Sequence, residues 1–142
     1  LLLVGEGDLY DDYKKLIASL GVKDNVELLG YRRDVPDLMS LADVAVSSSR
    51  QEGLPVNVME AMATGLPLVV SSSRGNRDLV IDDENGIIVN SDNANEMSNA
   101  LVKLYKSEEL RQRHGEQGLA MINNYSIENI LKEMTNLYLG LL

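Results

Sequence analysis

Cysteine is absent from the 142-residue sequence, which excludes a disulfide framework and a thiolate metal site. Positive charge is scarce: 13 Lys and Arg stand against 22 Asp and Glu, and the net charge of −9 argues against a general nucleic-acid-binding surface. No apolar run approaches the length of a transmembrane helix, and no signal peptide is visible. The rest of the composition, 44% hydrophobic and 25% charged, is typical of a globular domain with a core.

Short apolar runs alternate with helix-length segments along the chain. We predict strands at 1–4, 26–29, 43–47, 66–71 and 87–89, and helices at 9–20, 35–41, 55–64, 93–106, 108–123 and after 126. This alternation predicts an α/β fold with a Rossmann-like, open, mostly parallel sheet and helices on both faces. Ligands bind such sheets beyond the carboxyl ends of the strands. The loops that follow strands, at Gly5, Tyr31, Glu52 and Arg74, should therefore converge on one edge.

Polar side chains that can accept a hydrogen bond from first-turn amides precede most of the predicted helices. These candidate N-caps are Asp8, Asp34, Asp92, Ser107 and Ser126. The only histidine, His114, lies in a charged run, and we predict an exposed helix position for it rather than a catalytic one. Three successive acids at 82–84 match no calcium-loop spacing, so we predict a solvated turn there and no metal site.

The segment 47–67, SSSRQEGLPVNVMEAMATGLP, carries the strongest functional signal. Pro55 suits the first position of a helix, and Gly65 suits its end. Because the helix shows no wide polar face, we predict that it is buried. Glu60 lies in its middle, and an unpaired buried carboxylate is costly, so a polar partner should meet it.

The start of this helix is a candidate anion site. Its free amides, predicted at Val56, Asn57 and Val58, and its partial positive charge suit phosphate. Glu52 precedes that end, and Glu60 follows Pro55 by roughly 8 Å along the helix axis. A nucleotide-sugar has the matching layout, with two phosphates between a ribose and a hexose.

Glu52 and Glu60 form an E-x7-E motif inside EGLPVNVMEAMATGLP, which resembles the signature of retaining family-4 glycosyltransferases. That family has the GT-B fold of two Rossmann-like domains. The resemblance extends from about Leu1 to Tyr138 and implies that 1–142 is the C-terminal, donor-binding domain. We expect it to be truncated on its N-terminal side, without the acceptor domain and without the basic pair that neutralises the diphosphate in the family.

The resemblance also implies a reaction. The full-length parent would transfer a hexose from a UDP- or GDP-linked sugar to an acceptor hydroxyl with retention, with no metal or other cofactor. The chain by itself should be inactive. Two other classes remain open: a module that binds nucleotide-sugars without transfer, and a flavodoxin-like receiver. The receiver is disfavoured because Asp11 and Asp12 fall inside a helix and Asp43 begins its strand.

Site residues follow from the resemblance by position. Glu52 would contact the donor hexose and is the catalytic candidate, and Glu60 would contact the ribose. The donor-binding set comprises Glu52, Gly53, Leu54, Val56, Asn57 and Glu60. Further candidates for cleft or nucleobase contacts are Gly5, Gly7, Tyr31, Arg32 and Arg74. A plain strand-to-helix turn at Gly5 and Gly7, and solvated arginines after Tyr31, are the alternatives.

One departure from the family pattern concerns the segment after the fourth strand. Many members have a Gly-Gly-x-x-Glu sequence there, whereas this chain has Arg74-Gly75-Asn76-Arg77-Asp78, with Asp78 in the place of the Glu. The variant resembles a subgroup from bacterial polysaccharide biosynthesis. We therefore expect a lipid-linked or saccharide acceptor and a cytoplasmic parent, either free or peripheral at the inner membrane face through its missing domain. The net charge of −9 leads us to expect no nucleic-acid partner.

Overall fold

The structure is a computed structural model that describes residues 1–141, and it divides into two units, one over residues 1–38 and one from residue 39 onward. The first unit contains β1 (Leu2–Val4), α1 (Tyr10–Leu20) and β2 (Glu27–Gly30). Helix α2 (Val35–Ser40) follows and spans the boundary. The second unit contains β3 (Ala45–Ser47), α3 (Val56–Ala63), β4 (Leu68–Ser71), α4 (Arg74–Leu79), β5 (Gly86–Val89), α5 (Ala94–Lys106), α6 (Glu108–Ile122), a 3-10 turn (Asn123–Tyr125) and α7 (Ile127–Leu139).

The strands of each unit pair in parallel, as predicted. In the first unit β1 lies beside β2, with Leu3 opposite Leu28. In the second unit the order is β3-β4-β5, with Val69 of β4 between Val46 and Ile87. The fold is thus α/β with parallel sheets. The expected single sheet is instead hydrogen-bonded as two separate sheets within the described residues.

Strand β4 places apolar side chains on both faces of the second sheet, since successive residues of a strand point in opposite directions. Leu68 and Val70 pack with the buried residues Val58, Ala61 and Met62 of α3. Val69 packs with Ala100 and Leu104 of α5. Helices therefore cover both faces of this sheet, in agreement with the prediction, and α3 is fixed directly beside β4.

Of the five predicted caps, the two serines before α6 and α7 are right, and the aspartates before α1 and α5 are wrong. Ser107 Oγ accepts a hydrogen bond from Leu110 N, and Ser126 Oγ accepts one from Asn129 N, at 3.2 and 3.3 Å. Asn93 caps α5 in place of Asp92, because Asp92 has a φ of 67° and its carboxylate pairs with Arg50 at 2.8 Å.

Helix α1 begins at Tyr10, after Leu9 rather than Asp8, and has no side-chain cap. Helix α2 begins directly after Asp34, as predicted, but the Asp34 carboxylate accepts hydrogen bonds from Arg32. That guanidinium lowers the pKa of Asp34 through their hydrogen bond.

His114 is fully buried, so the prediction of an exposed position is wrong. The charged run winds around α6, and His114 falls on the face that packs inward. A Cβ on the next residue, Gly115, would lie 2.1 Å from the carbonyl oxygen of Gly65, so the helix approaches the α3–β4 connection very closely. Neither ring nitrogen of His114 has a hydrogen-bond partner among residues 1–141, and Asp83 Oδ1 lies 4.0 Å from Nε2.

The three acids at 82–84 form an exposed turn, as predicted, yet two of them bind protein groups. Asp82 Oδ1 accepts a hydrogen bond from Ile88 N at 2.9 Å, and Asp83 Oδ1 accepts one from Lys103 Nζ at 2.8 Å. The Lys103 ammonium lowers the pKa of Asp83. Among the helices of residues 1–141, none has the length and apolar character that a membrane crossing requires.

Candidate functional site

Helix α3 begins one residue later than predicted. Pro55 is the N-cap residue, with φ −76° and ψ 99°, and the first helical residue is Val56. The Val58 amide donates to Pro55 O at 3.1 Å, so the prediction that it is free is wrong. The amides of Val56 and Asn57 have no acceptor within the described residues, and they are the donors that this helix end presents.

Glu60 is exposed, so the prediction of a buried acid that needs a polar partner is also wrong. Val58, Ala61 and Met62 form the inward face of α3, whereas Val56, Asn57 and Glu60 lie on the outward face. Within residues 1–141 the Glu60 carboxylate makes no hydrogen bond or ion pair, and the side chain is exposed.

The loop that precedes α3 rests on the first turn of α4. The backbone carbonyl of Glu52 accepts a hydrogen bond from the Gly75 amide at 3.2 Å. A Cβ on Gly75 would lie 2.3 Å from Gly53 O and 2.9 Å from Pro55 Cδ, so this close contact requires glycine. Glu52 itself is half-buried, whereas Gly53 and Leu54 are exposed.

The segment after β4, expected as a loop, is the six-residue helix α4. Arg74 begins the helix and is exposed. Asp78, expected in the place of the family's glutamate, is exposed, and its backbone carbonyl accepts a hydrogen bond from the Tyr125 hydroxyl at 3.2 Å. Gly75 is the residue of α4 that faces the Glu52 loop, and the next residue, Asn76, is fully buried.

A buried polar chain under this loop was missed by the sequence reasoning. Asn76 Nδ2 donates to the carbonyl oxygen of Ser71 at 2.9 Å and to Ser71 Oγ at 3.3 Å. Ser71 Oγ in turn donates to the carbonyl oxygen of Ser49. Asn76 stands at an unspecified position of the Gly-Gly-x-x-Glu pattern, so the family signature gave no signal for it.

The candidates in the first unit lie in two adjoining loops. The Gly5 amide, at a φ of 133°, donates to Gly30 O at 2.8 Å, and Gly7 O accepts the first amide of α1. Tyr31 is 66% exposed, which leaves its ring open for stacking. Arg32 is paired with Asp34, and that hydrogen bond raises the pKa of the guanidinium.

Contacts thus join the predicted loops in two pairs: Gly5 with the Tyr31 loop in the first unit, and Glu52 with α4 in the second. The convergence of all four loops on one edge stays a prediction.

Comparison with known proteins identifies the family. The model of the family described as "Glycosyl transferases group 1" matches residues 1–121, and the chain belongs to this family. The putative glycosyltransferase EpsD of Bacillus subtilis is 33% identical over 97% of this chain and 36% of its own length. UDP-Gal:alpha-D-GlcNAc-diphosphoundecaprenol alpha-1,3-galactosyltransferase of Escherichia coli is 30% identical over 99% of this chain and 36% of its own length.

A solved structure shows the same fold. A mutant of S. aureus TarM, crystallised with fondaparinux, alpha-GlcNAc-glycerol and UDP, superimposes with a TM-score of 0.89 and is 29% identical, over 96% of this chain and 28% of that one. The chain thus spans only a little over a third of the length of the two relatives. The predicted family and fold, a glycosyltransferase domain of the GT-B type, are confirmed.

Proposed function

We propose that residues 1–142 are the nucleotide-sugar-binding domain of a retaining glycosyltransferase. In this proposal the full-length protein transfers a hexose from a nucleoside-diphosphate sugar to an acceptor hydroxyl. The observation that carries it is the segment 52–60, where a half-buried acid, two unpaired helix amides and an exposed acid follow one another. Family membership supports the same reaction class.

The segment offers one group for each part of a donor. The amides of Val56 and Asn57, at the positive end of the α3 dipole, would hold the diphosphate. Glu60 lies one turn further, about 6 Å along the axis, where its carboxylate would accept hydrogen bonds from the ribose hydroxyls. Glu52, on the other side of the amides, would hold hexose hydroxyls. Negative charge that develops on the leaving diphosphate would be stabilised by the amides where it forms.

UDP is the favoured nucleotide, and GDP is the alternative. The name of the E. coli relative specifies a UDP-Gal donor, and the TarM structure contains UDP. We also propose a lipid-linked or saccharide acceptor; the E. coli relative, whose name includes a diphosphoundecaprenol-linked acceptor, supports the lipid-linked alternative. We further propose that an N-terminal acceptor domain completes the full-length protein, because the relatives are much longer than this chain. A cytoplasmic location, peripheral at the inner membrane face, suits such an acceptor.

The test compares two acids in the full-length protein. Glu60→Gln should weaken UDP and UDP-sugar alike by roughly tenfold or more, since a hydrogen bond to a charged group contributes about 1.5–3 kcal/mol. Glu52→Ala should leave UDP affinity nearly unchanged, while transfer falls on the order of a hundredfold, because a hexose misplaced by about 1 Å reacts poorly. Glu116→Gln, on the exposed side of α6, is the matched control and should change neither quantity.

Calorimetric titration with UDP and with UDP-sugars, together with a transfer assay, measures these effects. Equal loss of UDP affinity in the Glu52 and Glu60 variants would contradict the assignment of the two acids. Tight UDP-sugar binding without turnover on any acceptor would favour the non-catalytic binding module. A protein that binds neither UDP nor GDP would overturn the proposed function.

A further inference from the structure

Two hydrogen bonds from other elements hold the backbone of the Glu52 loop, and the Arg50 side chain adds an ion pair with Asp92. One contact is the Gly75 amide on the Glu52 carbonyl, with Gly53 so close that no Cβ fits on Gly75. The other is the Ser71 hydroxyl on the Ser49 carbonyl, three residues before Glu52. The backbone is therefore held on both sides of residues 50–51 by groups that belong to β4 and α4.

Asn76 positions both of the groups that hold the loop, namely the Ser71 hydroxyl and the Gly75 amide. Its side chain is fully buried, and Nδ2 donates to the Ser71 carbonyl oxygen, across the turn that joins β4 to α4. The same amide lies 3.3 Å from Ser71 Oγ, which leaves that hydroxyl to donate its own hydrogen to Ser49. Asn76 also follows Gly75 directly, so a shift of the turn would move the Gly75 amide away from Glu52.

We propose that Asn76, acting through Ser71 and Gly75, is the positioning residue that sets the place of Glu52 against the donor hexose. This inference rests on the proposed function for the identity of the ligand. In this role Asn76 itself contacts no substrate. Its effect reaches the hexose through the backbone of the Glu52 loop. Nucleotide affinity should depend less on Asn76 than transfer does, because the amides of Val56 and Asn57 and the Glu60 carboxylate belong to α3. That helix is also anchored by Val58, Ala61 and Met62 in the core.

The experiment compares two fully buried asparagines in the full-length protein. Asn85 donates to Leu79 O at 3.1 Å and accepts from Ile81 N at 2.8 Å, in the turn before β5, and it has no hydrogen bond to the Glu52 loop. Asn76→Ala and Asn85→Ala each remove a buried amide and its hydrogen bonds. Both substitutions should lower the melting temperature. The melting temperatures therefore show whether the two variants are matched in stability.

The rate of sugar transfer and the rate of amide hydrogen exchange then distinguish a positioning role of Asn76 from a loss of stability. With Asn76→Ala, kcat for transfer should fall roughly tenfold to a hundredfold, while the Kd for UDP stays within about twofold. Amide exchange over residues 49–54 should accelerate. Ser71→Ala should reproduce both effects in weaker form. Asn85→Ala, measured well below its melting temperature, should retain wild-type kcat and wild-type exchange over 49–54.

Equal loss of kcat in the two asparagine variants would overturn the inference, because the effect would then be one of stability alone. Unchanged kcat and unchanged exchange over 49–54 in Asn76→Ala would overturn it as well. If the wild-type protein transfers no sugar, the proposed function fails, and the exchange rates still decide the inference: faster exchange in Asn76→Ala but not in Asn85→Ala supports it, and equal rates refute it.

Discussion

Protonation of the buried His114 should destabilise the fold at mildly acidic pH. Burial lowers the pKa of the imidazole below its ordinary value of 6.5, and Arg113 on α6 lowers it further. Asp83 in the turn before β5 acts in the opposite direction, and Lys103 on α5 again lowers the pKa. The folded state therefore keeps a neutral ring at a pH where the unfolded chain already binds a proton.

The difference between the folded and unfolded pKa sets the direction and the size of the change in stability with pH. Stability from the neutral ring is complete above the unfolded pKa and is lost as the pH falls below it, down to the folded pKa. If the folded ring stays neutral throughout, the loss between about pH 7 and about pH 5.5 is roughly 1.3 kcal/mol, which is the upper limit. The carboxylates with lowered pKa, Asp34, Asp83 and Glu96, titrate below this window because their ordinary values are 3.8 for Asp and 4.5 for Glu.

Two measurements check this prediction. Because His114 is the only histidine, its ring signals in a proton NMR titration give the folded pKa without assignment by mutation. Urea unfolding followed by far-UV circular dichroism gives the free energy of unfolding at each pH. His114→Leu is the matched variant: it removes the titrating ring and loses no hydrogen bond made within residues 1–141, so its stability should change much less over the same range.

A His114 ring that titrates at or above 6.5 would contradict this prediction. Equal losses of unfolding free energy in the wild-type chain and His114→Leu between about pH 7 and about pH 5.5 would contradict it as well.

Two further predictions concern packing, each with a matched control and urea unfolding as the measurement. Leu104→Ala should lower the free energy of unfolding by about 2–5 kcal/mol, because Leu104 is fully buried. Tyr105→Ala, at an 82% exposed position, should change it by only about 0.5 kcal/mol. Similar losses in the two variants would contradict the assigned core. Gly115→Ala should lose about 1–3 kcal/mol, because its Cβ would lie 2.1 Å from Gly65 O. Gly118→Ala, with its nearest neighbours at 3.7 Å, should be tolerated, and equal tolerance of both would refute the close approach.

The regular elements could be predicted because they depend on local pattern. Alternating apolar runs and helix-length segments placed every strand and most helices within a few residues, and the serines at 107 and 126 cap helices as expected. The family signature was equally local, since E-x7-E lies in one continuous segment. The helix α4 was missed, because its sequence of Arg, Gly and Asn has no apolar periodicity.

The environments of single side chains could not be predicted in the same way. Glu60 was expected to be buried, yet it lies on the outward side of a helix whose apolar content is high on both sides. His114 was expected to be exposed because its neighbours are charged, yet the packing of α6 turns it inward. Both depend on which face of a helix meets the rest of the unit, and that is a tertiary property. The hydrogen-bonded chain links Asn76 to Ser49, 27 positions apart in the sequence, and has no local signature either.

Helix α3 is fixed near both of its ends by glycines that have no room for a side chain. Gly75 lies against Gly53 and Pro55 before the first turn, and Gly115 lies against Gly65 just after the last. Contacts between backbones leave the helix little freedom to tilt or slide. If α3 binds the donor as proposed, the entropy cost of ordering it is met at folding rather than at binding. The outward side chains of α3 are also separate from these contacts, so substitutions there should leave the position of the helix unchanged.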